Sequence, residues 1–216
     1  MERLIEPTAD GSATLYVPRL DEHYHSVKGA RTESQHIFVD MGLKACPAPA
    51  PHILEIGFGT GLNALLTLEE AEHTGRTMHY TGIERYPLSW EEVAPLHYST
   101  HPLFQAMHRA PWEADVPLTP RFTLHKMQLD AHLLGRQSLP PVHVVYFDAF
   151  APEKQPDMWD ESLFQTLFHL MATGGILTTY CAKGAVRRML QAVGFHVERL
   201  PGPPGGKREI LRASKP

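Results

Sequence analysis

"HILEIGFGTGLNALLTLEEA", residues 52–71, changes structural period twice within twenty positions. His52 to Ile56 is a short apolar run of the kind that forms a buried strand, and Leu62, Leu65, Leu66 and Leu68 recur at helical spacing. Between them Gly57, Gly59 and Gly61 fall at alternate positions. A strand, a glycine turn and a helix in that order open a βαβ unit, and the turn is where such units take their ligands. A phosphate-gripping loop would read GxxxxGK[ST], and no such lysine follows. A dinucleotide turn reads GxGxxG, but Leu62 stands at its third glycine, so close helix packing beside a pyrophosphate is not provided for.

Outward from this turn the chain keeps alternating. Strands are expected at 78–84 (MHYTGIE), 121–127 (RFTLHKM), 142–148 (VHVVYFD) and 174–181 (GGILTTYC). The run at 142–148 is almost unbroken in its apolar character, as in the centre of a parallel sheet. Helical patterns separate the strands: 62–74, a region after 88 broken at Pro95 and Pro102, a short stretch from Asp130, 161–173, and 185–194 closed by Gly194. Residues 111–120 (PWEADVPLTP) read as loop. FHVERLP and KREILRA flank the turn PGPPGG as a closing hairpin. The fold class is therefore α/β, a Rossmann-like doubly wound sheet with one antiparallel strand brought in by the C-terminal hairpin. Short strands at 13–20 and 35–41 suggest a small N-terminal β extension over residues 1–45, before a main domain at 46–216. The proline-rich KACPAPAPH leads into that domain.

Composition narrows the class further. The chain has 216 residues, 43% hydrophobic and 20% charged, as in an ordinary globular domain. No apolar stretch approaches the ~20 residues that cross a bilayer, and the N-terminus has no secretion-signal core. Cys46 and Cys181 are the only cysteines, which fits a reduced, cytoplasmic setting. The fourteen histidines include the pair His23 and His25 but no HExxH, and no paired CxxC accompanies them, so no metal is expected. Net charge is −4, distributed unevenly: residues from Lys183 onward carry +6 and the first 182 carry −10. Such a basic end offers a local phosphate-binding face, although from charge alone the solvation of an edge strand is the better account.

Three acids end strands. Glu84 closes the second strand, 23 residues past Gly61, Asp130 follows the third, and Asp148 ends the fourth. Open α/β sheets bind ligands at the carboxyl ends of their strands, so these acids face one crevice. With Glu55, the glycines have the E-x-G-x-G-x-G form of S-adenosylmethionine-dependent methyltransferases, in which Glu84 would accept from the ribose hydroxyls. Asp148 precedes AFAPEKQPDMW, a small, aromatic and proline-rich stretch suited to shaping an acceptor wall. A protonated amine has no lone pair, so a carboxylate that removes its proton or holds it in line suits methyl transfer to nitrogen.

GFGTGLN, FDAFAPEKQPDMW, GGILTTYCAKGAVRRMLQAVGF, GGKREIL and the N-terminal YHSVKGARTESQHIFVDMGL together resemble the MnmC/MnmD methyltransferases, in the same order from about Tyr24 to Arg212. The resemblance implies N-methylation, by S-adenosylmethionine, of the 5-aminomethyl group of (2-thio)uridine at the tRNA wobble position. It places Gly57, Gly59 and Gly61 on the cofactor turn, with Glu55 and Asn63 flanking them, Glu84 on the ribose and Asp130 on the adenine side. Asp148 falls on the catalytic aspartate, and Tyr24, His25 and Ser26 on a flap over the cofactor. Bifunctional members add an FAD-dependent oxidase domain; this sequence ends at Pro216, which implies a stand-alone methyltransferase without FAD. For tRNA, Lys183, Arg187, Arg188, Lys207 and Arg208 are candidates for phosphate contacts, and Phe150 and Trp159 for stacking on the flipped base.

Two other readings share these features. An aminopropyltransferase or small-amine methyltransferase would use the same sheet, with Asp157, Asp160 and Glu161 as carboxylates for a polyamine. A non-catalytic RNA-binding module would keep the fold without needing Asp148.

Overall fold

The computed structural model describes residues 2–216. Its main sheet has eight strands. The parallel centre is β9 (Met171–Thr179), β8 (Val142–Phe147), β4 (His52–Ile56), β5 (Met78–Glu84) and β7 (Phe122–Gln128). β11 (Glu209–Ser214) runs antiparallel to β9, and β10 (His196–Pro201) pairs with β11 to complete the hairpin. At the other edge β6 (Asp115–Thr119) runs antiparallel to β7.

Alternation along the central strands divides the core into two layers. Ile53, Val144 and Tyr146 face one layer; Leu54, Ile56, Val145 and Phe147 face the other. The first layer is covered by α1 (Ala30–Ser34), α2 (Leu62–Thr74), α3 (Trp90–Val93) and α4 (Pro102–Arg109). The second lies under α5 (Glu161–Leu170) and α6 (Gly184–Val193). Both faces are therefore buried, which is why these strands read as unbroken apolar runs. β1 (Leu4–Pro7), β2 (Ala13–Val17) and β3 (Glu22–His23) form a separate three-stranded sheet. Among the described residues no helix is long and apolar enough to cross a membrane.

Three expected elements differ. Residues 35–41 are not a strand: Gln35–Asp40 is one wide helical turn continuing α1. Ala30, Ser34, Ile37 and Phe38 are buried at helical spacing, so packing overrides the β propensity of Ile, Phe and Val. Residues 111–120 are not all loop, because β6 accommodates Pro117 at a sheet edge, where a missing N–H costs little. The helix expected to reach 173 stops at Leu170, and β9 begins at once with a register shift opposite Val142 and Val144, where Gly174 has φ 76°.

Candidate active site

The glycine turn connects β4 to α2 in a left-handed backbone: φ is 92° at Gly57, 49° at Gly59 and 71° at Gly61. The β4–β5 pairing extends into the turn, with the amides of Gly57 and Phe58 both donating to Ile83 O at 3.0 Å. Space is short there as well as φ unusual. A Cβ on Gly57 would lie 2.6 Å from Asp148 O, and one on Gly59 would lie 3.2 Å from the Tyr24 ring. Gly61 stands at the start of α2, which has no side-chain cap.

The strand-end acids do meet at one crevice. A cavity of about 530 Å³ is lined by Glu84, Asp130 and Asp148 together with Gly57, Gly59, Asn63, Phe150 and Lys207. Glu84 accepts from the Gly59 amide at 3.0 Å and from the Tyr86 amide at 2.8 Å, so it also ties the turn to the end of β5. Asp130 caps the helical turn Ala131–Arg136, accepts from the His132 amide at 3.1 Å and pairs with Arg85 at 2.9 Å. These donors, the His132 amide first, hold its carboxyl below the usual range.

Asp148 follows β8, its amide fixed to Ile56 O at 3.0 Å. Its Oδ2 accepts from Asn63 Nδ2 at 2.8 Å. Burial pushes the Asp148 carboxyl up to about 7 against that hydrogen bond, with Glu33 adding to the rise and Lys207 opposing it. Behind Asn63 lies Glu55, 1% exposed, which accepts from Asn63 Nδ2 at 2.8 Å and from Tyr80 OH at 2.7 Å. Both its oxygens are thereby engaged, and burial raises its carboxyl well above the usual range. Glu55 supports the site from beneath.

The N-terminal segment supplies a wall. The Tyr24 ring meets Phe150 edge-on with centroids 5.2 Å apart. The His25 ring nitrogen Nε2 lies 2.9 Å from Thr60 Oγ1, and the His25 amide donates to Thr14 Oγ1 at 2.9 Å. Burial lowers His25 to about 4, so the ring is neutral at pH 7. Ser26 N donates to Glu33 Oε2 at 2.8 Å, and Lys207 Nζ donates to Glu33 Oε1 at 2.9 Å while lying 4.1 Å above the Tyr180 ring. Tyr180 OH donates to Ala149 O at 2.8 Å, bracing the turn after Asp148.

Other expected residues lie elsewhere. Gly61, Lys183, Arg187, Arg188 and Arg208 are off the cavity wall, and Lys183 pairs with Glu153. Trp159 is core rather than a stacking surface: it is 5% exposed, packs on Phe147 and Phe164, and donates to Phe150 O at 2.7 Å. Of the acids considered for a polyamine, Asp157 lines the cavity, whereas Asp160 caps α5 and bonds His132, and Glu161 lies in the first turn of α5. Glu33 and Tyr180 went unrecognised in the sequence; each is distant in the chain from the residues it braces, and neither belongs to a local pattern.

The arrangement suits a cationic ligand of moderate size. Glycines admit close backbone approach, and Glu22, Glu33, Glu55, Glu84, Asp130, Asp148 and Asp157 line the cavity against four Lys or Arg.

Known proteins share this fold and sequence. The MnmC2 crystal structure from Aquifex aeolicus superposes with TM-score 0.82 at 27% identity, covering all of this chain and 72% of that one. Spermidine synthase from Thermotoga maritima shares the fold at TM-score 0.61 and 12% identity, covering all of this chain and 80% of that one. The tRNA 5-methylaminomethyl-2-thiouridine biosynthesis bifunctional protein MnmC of Cupriavidus necator is 35% identical over 97% of this chain and 34% of its own length. That of Magnetococcus marinus is 35% identical over 92% and 32%. The chain thus spans about a third of the length of the curated relatives it matches. Residues 101–216, more than half of the chain and including Asp130 and Asp148, match the family described as S-adenosyl-L-methionine-dependent methyltransferase. With the glycine turn and the acid-ended strands built around one cavity, the chain belongs to the S-adenosyl-L-methionine-dependent methyltransferase family.

Proposed function

We propose that the chain methylates the 5-aminomethyl nitrogen of (2-thio)uridine at the tRNA wobble position, giving 5-methylaminomethyl(2-thio)uridine. The observation that carries the reading is Asp148: a half-buried carboxyl group directly after the central strand β8, on the wall of the cavity that the glycine turn opens. The names of the relatives, biosynthesis proteins for the methylated nucleoside, support this choice of product and so of acceptor. The donor supplies a methyl group on a sulfonium: the amine lone pair forms the N–C bond as C–S breaks, the bonding pair leaving on sulfur.

The residues present fit such a donor. Gly57 and Gly59 admit its aminoacid end, with Gly61 setting the entry to α2; Glu84 would take the ribose hydroxyls and Asp130 the adenine side. Asp148, titrating near 7, orients the neutral amine and accepts the proton that the methylated ammonium must lose. Phe150 offers the uridine an aromatic edge, while Arg187, Arg188 and Arg208 are assigned to tRNA phosphates, Lys183 and Lys207 being paired with Glu153 and Glu33. In this reading residues 1–45 are an extension that walls the cavity of a domain at 46–216, and the enzyme works in the cytoplasm, where its tRNA substrate is.

The test is methyl transfer from labelled S-adenosylmethionine to tRNA bearing 5-aminomethyl-2-thiouridine, with unmodified tRNA and spermidine in parallel and Asp148→Ala as control. Label on the aminomethylated tRNA alone, lost in Asp148→Ala, supports the reading. Label on spermidine instead would replace it with a small-amine transferase.

A further inference from the structure

Seven carboxyl groups line the cavity against Arg3, Arg85, Lys154 and Lys207. The aminoacid end of the methyl donor is a zwitterion. Its ammonium suits such a wall, but its carboxylate needs one of the four cations. Three of them are committed away from Asp148. Arg85 pairs at 2.9 Å with Asp130, the acid assigned to the adenine. Arg3 pairs with Glu92 in α3, beyond the end of β5. Lys154 pairs at 3.2 Å with Asp21, whose side chain is 78% exposed, and so stands at the mouth.

Lys207 is placed differently. It sits on the turn between β10 and β11, which the Gly202 amide closes on Arg208 O at 2.9 Å and the Gly206 amide on Pro203 O at 3.0 Å. Its Nζ lies between two cavity walls, 2.9 Å from Glu33 Oε1 and 4.1 Å above the Tyr180 ring. Both walls are fixed: the Ser26 amide holds Glu33, and Tyr180 OH is bound to Ala149 O. An ammonium has three N–H donors, and among the described residues only Glu33 takes one. With the side chain 43% exposed, the other two are open to a ligand. The Lys207 charge is felt at Asp148 and at His25, whose ring bonds Thr60 in the glycine turn. Lys207 therefore stands at the end of the cavity where Asp148 and that turn meet.

We propose that Lys207 binds the α-carboxylate of the methyl donor and thereby selects S-adenosylmethionine over its decarboxylated form. This rests on the donor of the family and not on the identity of the acceptor. The decarboxylated form carries an aminopropyl arm in place of the aminoacid one. Bound here, it would forgo a charge-assisted hydrogen bond and bring its own ammonium towards that of Lys207. Selection thus combines an attraction to the intact donor with a repulsion of the other. Glu33 holds the lysine over Tyr180 and is a positioning residue.

The experiment is calorimetric and needs no turnover. S-adenosylhomocysteine and its decarboxylated analogue are titrated into wild type, Lys207→Met, Lys207→Arg and the double variant Glu33→Gln with Lys207→Met. Methionine keeps an apolar stem on Tyr180, and the double variant leaves no bare carboxylate to unsettle the fold. Wild type should bind S-adenosylhomocysteine about 10- to 10²-fold more tightly than the analogue, the range for one hydrogen bond to a charged group. Lys207→Met and the double variant should bring the two ligands within about threefold, by weakening S-adenosylhomocysteine and sparing the analogue. Lys207→Arg should keep most of the preference. A merely structural role would weaken both ligands alike and leave their ratio intact. An unchanged ratio in the double variant overturns the inference, as does a wild type that binds both ligands equally. No tRNA takes part, so either result leaves the acceptor reading standing, and methyl transfer to a different acceptor leaves this inference standing. A wild type that binds neither ligand removes the donor site and the inference with it.

Discussion

At Asp148 burial and a single amide donor act in opposite directions, and burial prevails. The carboxyl is raised to about 7, so the form that accepts a proton is filled only as the pH passes that value. With both substrates saturating, kcat should rise about tenfold per pH unit below 7 and level off above it, measured as initial rates between pH 5 and 9. Asp148→Asn keeps an oxygen for Asn63 Nδ2 and should cost about 10²–10⁴-fold in kcat, the usual range for a general base. Its effect on stability has the opposite sign. Between the ordinary value near 3.8 and about 7 the native state holds a proton that the unfolded chain has released, so stability falls as pH rises through that window. Asp148→Asn should therefore raise Tm at pH 8, and the gain should shrink towards pH 4. Paired calorimetric melts at the two pH values check this.

Among the elements, the glycine turn is the most constrained. Gly57 combines φ 92° with a carbonyl, Asp148 O, where a Cβ would stand. Gly174, in β9, has φ 76° and nothing within 4 Å of that position. Alanine at either site carries backbone strain of about 1–3 kcal/mol, or roughly 2–4 °C in Tm per kcal/mol. Only Gly57→Ala must also push β8 away from β4, so it alone should lower donor affinity, by tenfold or more in calorimetry. Equal donor affinity in the two variants would mean that the close approach of the turn to Asp148 is not what shapes the donor site. Element positions were largely readable because both faces of the sheet are covered and its strands are apolar throughout. The segment 35–41 was misread because Ile37, Phe38 and Val39 carry β propensity, while their neighbours Ala30 and Ser34 carry the helical spacing.

Over the whole molecule the acid-lined cavity and the basic C-terminal part differ in charge. Among the described residues Lys207 and Lys183 are engaged with Glu33 and Glu153, whereas Arg188 and Arg208 are exposed and make no ion pair. Substituting both, Arg188→Ala with Arg208→Ala, should weaken tRNA binding and reduce the slope of log K against log salt by about 2, with donor affinity unchanged. Filter binding from 50 to 200 mM salt measures the slope. An unaltered slope would move the phosphate contacts elsewhere on the surface.

The sequence by itself determined the sheet, the glycine turn and the three strand-end acids. Alternation and chain order bring the carboxyl ends of parallel strands together whatever the details of packing. Only the tertiary structure decided what each group is free to do. It placed Trp159 in the core, paired Lys207 with Glu33, and drew Glu33 and Tyr180 onto the cavity from parts of the chain with no local signal for that position. It also turned Glu55 and Asn63 from neighbours of a glycine motif into a support for Asp148. Burial, hydrogen-bond satisfaction and proton affinity depend on what surrounds a side chain in space, and those surroundings come from segments far apart along the chain.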